Sequence, residues 1–184
     1  MSHDSADLRL FAAIYPSEGA ARAMLRALRK LSLPSHRETP PEQVHMTVQF
    51  IGQVDRRDLD EVLESVRRSA SGIRPFELRA ERIITLPRRG RPRLVAAELN
   101  APAELLELHR RLAHRLARHL REKAGDRFLP HMTLCRFSHG KTCADINVPS
   151  AGEPFTVSTV SVMKSILRPE GAVHEEVERV ELSS

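Results

Sequence analysis

The stretch Val44-His45-Met46-Thr47-Val48-Gln49-Phe50-Ile51 decides how this chain is read, because its tripeptide returns in His131-Met132-Thr133-Leu134-Cys135-Arg136-Phe137. Both runs are apolar and rich in strand-favouring residues. In a strand, residues two apart point to the same face. Each run therefore presents a histidine beside a threonine hydroxyl, while Met46 and Val48, or Met132 and Leu134, turn the other way into packing. A strand that sets an acid/base group next to a hydroxyl donor, twice, reads as two half-sites. The same parity places Gln49 and Cys135 on the histidine face, and Arg136 on the opposite face unless a bulge intervenes.

Working outward, Leu8 to Tyr15 reads as a strand stopped by Pro16. Ser17 can cap a helix whose apolar positions Ala21, Met24, Leu25, Leu28 and Leu31 follow the helical period. After the first His-x-Thr strand, Asp55 and Asp58 resemble a cap opening a second helix, with Leu59, Val62, Leu63 and Val66 on one face and Gly72 closing it. Phe76 to Leu86 and Leu94 to Leu99 are expected as strands, joined by the basic loop Pro87-Arg88-Arg89-Gly90-Arg91-Pro92-Arg93. A third helix is expected from Ala103 to Lys123, ended by Gly125. The second His-x-Thr strand follows. Two more strands, Phe155 to Leu167 and His174 to Leu182, are joined by the turn Arg168-Pro169-Glu170-Gly171.

This order repeats itself. Arg9-Leu10-Phe11-Ala12-Ala13 matches Arg93-Leu94-Val95-Ala96-Ala97, and each is followed by a helix and then by His-Met-Thr. The offset is 84 between the strand copies (9 to 93) and 86 between the histidines (45 to 131). A nearly constant offset over strand, helix and strand implies two similar lobes. If these pack about a pseudo-two-fold axis, equivalent strands bring their histidines together across one cleft. The expectation is an α+β chain, residues 1–184 as a single bilobal domain, with halves at roughly 8–86 and 92–182.

Composition sets the bounds. A chain of 184 residues with 41% hydrophobic content can bury a core, built on aliphatic side chains because aromatics are only 4%. The net charge is +5, and arginine supplies nearly all of the positive charge. That suits phosphate contacts without proving them. Cys135 and Cys143 form no metal or disulfide spacing, so a reducing compartment is expected. With a polar start and no long apolar run, the chain is expected to be cytoplasmic and free of membrane contact.

The residue types point to phosphoryl transfer without a metal or other cofactor. Displacement at phosphorus by water needs a base to take a proton from the water and an acid to protonate the leaving oxygen. Two histidines suit both roles near neutrality. Thr47 and Thr133 can donate to the non-bridging oxygens as charge develops. The residues alone leave open which histidine is the acid. His109, His114 and His119 are spaced by five on the third helix and so diverge around it. They read as surface or helix-edge residues rather than metal ligands.

Two His-x-Thr motifs in a chain of this size resemble the 2H phosphoesterases, and most closely the RNA 2′,3′-cyclic phosphodiesterase group, also called LigT-like or 2′-5′ RNA ligases. The likeness extends to Arg9-Leu10-Phe11-Ala12-Ala13-Ile14, Val44 to Val54, Pro75-Phe76-Glu77-Leu78, Pro130 to Arg136, and Ser165 to Gly171. It departs where Arg37-Glu38-Thr39-Pro40 replaces an aromatic residue, at Gln49 for a frequent Lys, and at His174 for a Tyr. The resemblance implies two antiparallel-sheet lobes with helices outside and a central cleft. It also implies metal-independent hydrolysis of RNA terminal 2′,3′-cyclic phosphates to 2′-phosphates, with His45 as proton donor and His131 as acceptor. The partner would be an RNA end or nucleotide bearing that group, handled by a monomer. Arg136, Gln49 and Phe11 are candidates for phosphate, ribose and base contacts respectively, and the basic loop for the RNA backbone. For Arg136 the competing role is an external salt bridge, for Phe11 core packing, and for the loop a solvated hairpin tip. Rival functions are a 2′-5′ ligase or phosphodiesterase, a small-nucleotide cyclic phosphodiesterase, and a non-catalytic RNA-end-binding module.

Overall fold

A computed structural model describes residues 7–117, 128–168 and 171–183. Strand β1 (Leu8–Ile14) leads to α1 (Glu18–Leu28), capped by the Ser17 hydroxyl accepting from the Ala20 N–H at 3.2 Å. The short β2 (His36–Glu38) precedes β3 (Met46–Val54), with His45 immediately before the strand. Asp55 caps a 3-10 turn at Arg56–Asp58, and α2 (Leu59–Ala70) continues from it. Then come β4 (Phe76–Leu78), β5 (Ala80–Leu86), β6 (Leu94–Leu99), α3 (Ala103–Arg115) and β7 (His131–Phe137). Strands β8 (Asn147–Pro149), β9 (Phe155–Val157), β10 (Thr159–Arg168) and β11 (Gly171–Glu181) complete the order.

These strands form two antiparallel sheets, β11-β10-β1-β3 and β2-β7-β6-β5-β8, plus a β4-β9 ribbon. The fold is therefore α+β, as the sequence implies. The helices do not stay with their own sheets. Helix α1 follows β1 but leans on β5 and β7, while α3 follows β6 but packs on β3 and α2. Apolar residues from both sheets and all three helices join in one buried cluster, which includes Leu10, Leu25, Met46, Val66, Val95, Leu108 and Met132. Each sheet thus completes its core with a helix that follows a strand of the other sheet.

Four elements differ from expectation. Phe76 to Leu86 is two strands, because Asn100 clamps the step at Arg79: its side chain accepts the Arg79 N–H at 2.8 Å and its own N–H reaches the Arg79 carbonyl at 3.2 Å. Phe155 to Leu167 likewise breaks at Ser158, so that β9 pairs with β4 and β10 with β1 and β11. The three-residue β2 and β8 carry no alternation and exist through their partners, β7 and β5. Helix α3 ends at Arg115, where Leu116 leaves the helical conformation, short of the expected Lys123; His119, Lys123 and Gly125 lie outside the described residues, as do Pro169 and Glu170 of the expected turn.

Both motif strands are bulged at the same place. Ala12 faces Gln49 and Ala13 faces Thr47, leaving Val48 extra on β3. Val95 faces Cys135 and Ala96 faces Thr133, leaving Leu134 extra on β7. The two bulges are 86 residues apart, as the histidines are. The pairing sets Ala13 against Ala96, so the strand offset is 83 rather than the 84 of the sequence match.

Gly171 opens β11 at φ +128, a conformation that side chains resist, and a Cβ there would meet the Arg37 guanidinium. We expect Gly171→Ala to lower unfolding free energy by about 1–3 kcal/mol. Unchanged denaturation midpoints would contradict this.

Candidate active site

The bulges decide which side chains share a face. In β1, Leu10, Ala12 and Ile14 join the main core, whereas Phe11 and Ala13 form a separate small cluster with Met163, flanked by Tyr15, on the sheet's other side. Thr47 pairs with Ala13 and Phe50 with Phe11, so both belong to that second face. In β6, Val95, Ala97 and Leu99 enter the core. His131 pairs with Glu98, Thr133 with Ala96 and Arg136 with Leu94 on the face away from it. A bulge places two successive side chains on one side and so reverses the parity beyond it. Leu134 and Cys135 accordingly both sit in the core. Simple alternation put Gln49 and Cys135 with the histidines and Arg136 opposite; the bulges invert that assignment, and Phe50 and Arg136 become counterparts.

The two histidines are held alike. His45 Nδ1 lies 2.7 Å from the Gln43 carbonyl, and His131 Nδ1 lies 2.8 Å from the Leu129 carbonyl. A carbonyl only accepts, so each Nδ1 carries the hydrogen. In the neutral rings Nε2 is therefore the free basic nitrogen. Each motif fixes its tautomer with a carbonyl two residues upstream.

Strands β3 and β7 belong to different sheets but touch one another, and His45 feels the charge of His131 and Arg136 across that contact. His45 is surrounded by rings: Phe11 at 5.3 Å, Tyr15 at 5.4 Å, and His174 at 4.9 Å and nearly perpendicular. Burial pushes the His45 pKa down to about 4. The Gln43 carbonyl opposes this, while charge on His174, His131 and Arg136 adds to it. Burial also lowers His174, whose Nδ1 is enclosed without a hydrogen-bond partner among the described residues. Tyr15 is pushed up to about 12 by burial and then by the Glu176 charge, so it stays a neutral phenol.

Holding His45 neutral makes stability depend on pH. The unfolded chain takes up a proton near the ordinary value of 6.5, the folded one only near about 4. Between those values the folded state binds fewer protons, so stability is full above about pH 6.5 and falls as pH drops toward 4. His174 acts in the same sense. We expect the melting temperature to decline across that window and His45→Gln to flatten the decline; an identical slope in the variant would contradict the assignment.

The other sequence candidates fall in definite places. Phe11 is 4% exposed and forms the floor beneath His45, with no open face for a base. Gln49 pairs with core-facing Ala12 at the sheet edge and donates to the Phe50 carbonyl at 3.0 Å. Cys135 is fully buried, its thiol pushed up to about 11 by burial, and serves packing. In the basic loop, Arg88 folds back onto Glu98, opposite His131, and Arg91 donates to the Gly140 carbonyl at 3.2 Å. His109, read as a surface or helix-edge residue, is instead half-buried. It bonds the Val48 carbonyl at 2.8 Å and stacks on Phe128 at 4.0 Å.

Sequence reasoning missed Tyr15, Phe50, Glu98 and the contact of His174 with His45. Phe50, 57% exposed and 6.4 Å from Phe11, is the aromatic that opens to solvent beside the site. Counting 86 residues back from Arg136 would have found it. Among the described residues no three His, Cys, Asp or Glu side chains group as metal ligands, and no helix is long and apolar enough to cross a membrane.

Two antiparallel sheets with exchanged helices, each carrying a bulged His-x-Thr strand, make an α+β fold that matches solved 2H phosphoesterases. The chain belongs to the 2′-5′ RNA ligase superfamily, whose profile matches residues 15–166. A curated relative named RNA 2′,3′-cyclic phosphodiesterase from Thermus thermophilus is 28% identical, over 95% of this chain and 90% of that protein. One of the same name from Archaeoglobus fulgidus is 26% identical, over 92% of this chain and 98% of that protein. The solved structure of TT0787, also from Thermus thermophilus, superposes with a TM-score of 0.83 at 27% identity, covering 95% of this chain and 98% of that one. E. coli LigT complexed with 3′-AMP shares the fold, with a TM-score of 0.77 at 22% identity, covering 97% and 99%.

Proposed function

We propose that this protein is an RNA 2′,3′-cyclic phosphodiesterase that opens the terminal cyclic phosphate to a 2′-phosphate without a metal. The observation that carries this reading is the matched presentation of His45 and His131. Each ring is locked with Nδ1 protonated and Nε2 free, and charge on His131 acts on His45. The names of the relatives supply the substrate class.

In the proposed step, His131 Nε2 takes a proton from water as its oxygen attacks phosphorus. The bond from phosphorus to the ribose 3′ oxygen breaks, and His45 Nε2 gives that oxygen its proton. The Thr47 and Thr133 hydroxyls donate to the non-bridging oxygens, and Arg136 faces their negative charge. Phe50 offers an exposed ring to the terminal base. In the ligand-free site His45 is neutral, so donation by His45 requires the bound phosphate anion to raise its pKa. Both motif strands belong to one chain, so a monomer contains both half-sites, although the sheets draw strands from both of the expected halves, 8–86 and 92–182.

The test is an oligonucleotide ending in a 2′,3′-cyclic phosphate, incubated with the protein in EDTA. The expected product is a 2′-phosphate. A 3′-phosphate would overturn the polarity, loss of turnover in EDTA the metal-free chemistry, and no turnover under any condition the assignment itself.

A further inference from the structure

We infer that His109 is a positioning residue for the first half-site: it holds the Val48 bulge that brings Phe50 onto the face shared by His45 and Thr47, and ties that bulge to the segment leading into His131. This rests on the proposed two-histidine reading for its catalytic consequence, but not for its geometry.

The internal repeat provides the comparison. Each bulge has a carbonyl that receives a donor from outside its own strand pair. On β7 it is the Leu134 carbonyl, which accepts the Thr39 N–H at 2.8 Å from the chain that continues β2. Strand β3 is the edge of its sheet and has no such neighbour. Its equivalent carbonyl, that of Val48, is met by His109 Nδ1 at 2.8 Å. The carbonyl can only accept, so His109 is fixed with its hydrogen on Nδ1. One imidazole from α3 thus does for β3 what a neighbouring strand does for β7.

The other contact reaches the second half-site. The His109 ring stacks on Phe128 with centroids 4.0 Å apart and planes within 9°. Phe128 lies directly before Leu129, whose carbonyl fixes the His131 tautomer. His109 therefore touches the bulge of one motif and the lead-in of the other. Removing the donor leaves the Val48 carbonyl without its side-chain partner, which favours relaxation of the bulge. Such a relaxation would swing Thr47 and Phe50 out of register with His45, and a misplacement of about 1 Å in a catalytic group can cost up to ~10² in rate.

Two substitutions separate the roles. His109→Phe keeps a ring against Phe128 but has no donor; His109→Asn restores an N–H close to the Nδ1 position. His114→Phe, on the same helix, serves as control. We expect His109→Phe to fold and to lose about 10-fold or more in kcat, with a smaller rise in KM from the displaced Phe50 ring. His109→Asn should recover most of that loss, and His114→Phe should match wild type. An NMR titration of His45 in the same variants reads the geometry without turnover, and should show its midpoint displaced in His109→Phe and restored in His109→Asn. If His109→Phe leaves both kcat and the His45 titration at wild-type values, or if Asn and Phe lose equally, the positioning role is wrong. An inactive wild type with the titration shift present would leave the positioning intact and remove only the proposed reaction.

Discussion

His45→Ala and His131→Ala are each expected to lower kcat/KM on a 2′,3′-cyclic phosphate oligonucleotide by about 10²–10⁴, the usual worth of one positioned acid or base. The loss should fall in kcat, because neither ring is needed to bind the ribose or base. The proposed order of roles adds a sharper expectation. A diester with a nitrophenol leaving group needs no acid to expel it, so His45→Ala should retain far more of its activity on that substrate than His131→Ala does. The reverse ranking would exchange the roles, and it has a physical basis, since burial already pushes the His45 pKa down to about 4. Folding should survive both changes, because the rings lie on the face away from the main core.

Thr47→Val and Thr133→Val should each reduce kcat by about 10²-fold, the typical loss on removing one donor to a developing oxyanion. Valine keeps the shape and the strand preference, so the change isolates the hydroxyl. Each threonine pairs with a small residue, Ala13 or Ala96, which leaves its side chain room to turn toward a ligand. If the hydroxyls serve packing instead, the variants should lose stability and keep kcat. Denaturation curves beside the rate measurements tell these apart.

Much of this was readable in the sequence, for identifiable reasons. The His-x-Thr copies and the Arg-Leu-x-Ala-Ala repeat gave the element order of both halves, because strand alternation and helical period are local signals. The α+β class followed from them. The bulges were not readable. Val48 and Leu134 are ordinary strand residues, and only the ladder with β1 and β6 reveals that each is extra. Parity counting therefore misplaced Gln49, Cys135 and Arg136 and overlooked Phe50. His174 and His109 were missed for a related reason: their partners, His45 and the Val48 carbonyl, are distant in sequence, and nothing local marks a histidine that will meet them. Phe11 was correctly located on the first strand, yet its burial beneath His45 depends on rings from β3 and β11.

The central claim is that the two histidines act as one unit. The most direct test is a double-mutant cycle with His45→Ala, His131→Ala and the double variant, measured as single-turnover rates on the same cyclic-phosphate oligonucleotide. Groups that serve one concerted transfer are strongly non-additive. The double variant should therefore be no more than about 10-fold slower than the worse single variant. Losses that multiply across the cycle, or either single variant turning over at the wild-type rate, would contradict the account.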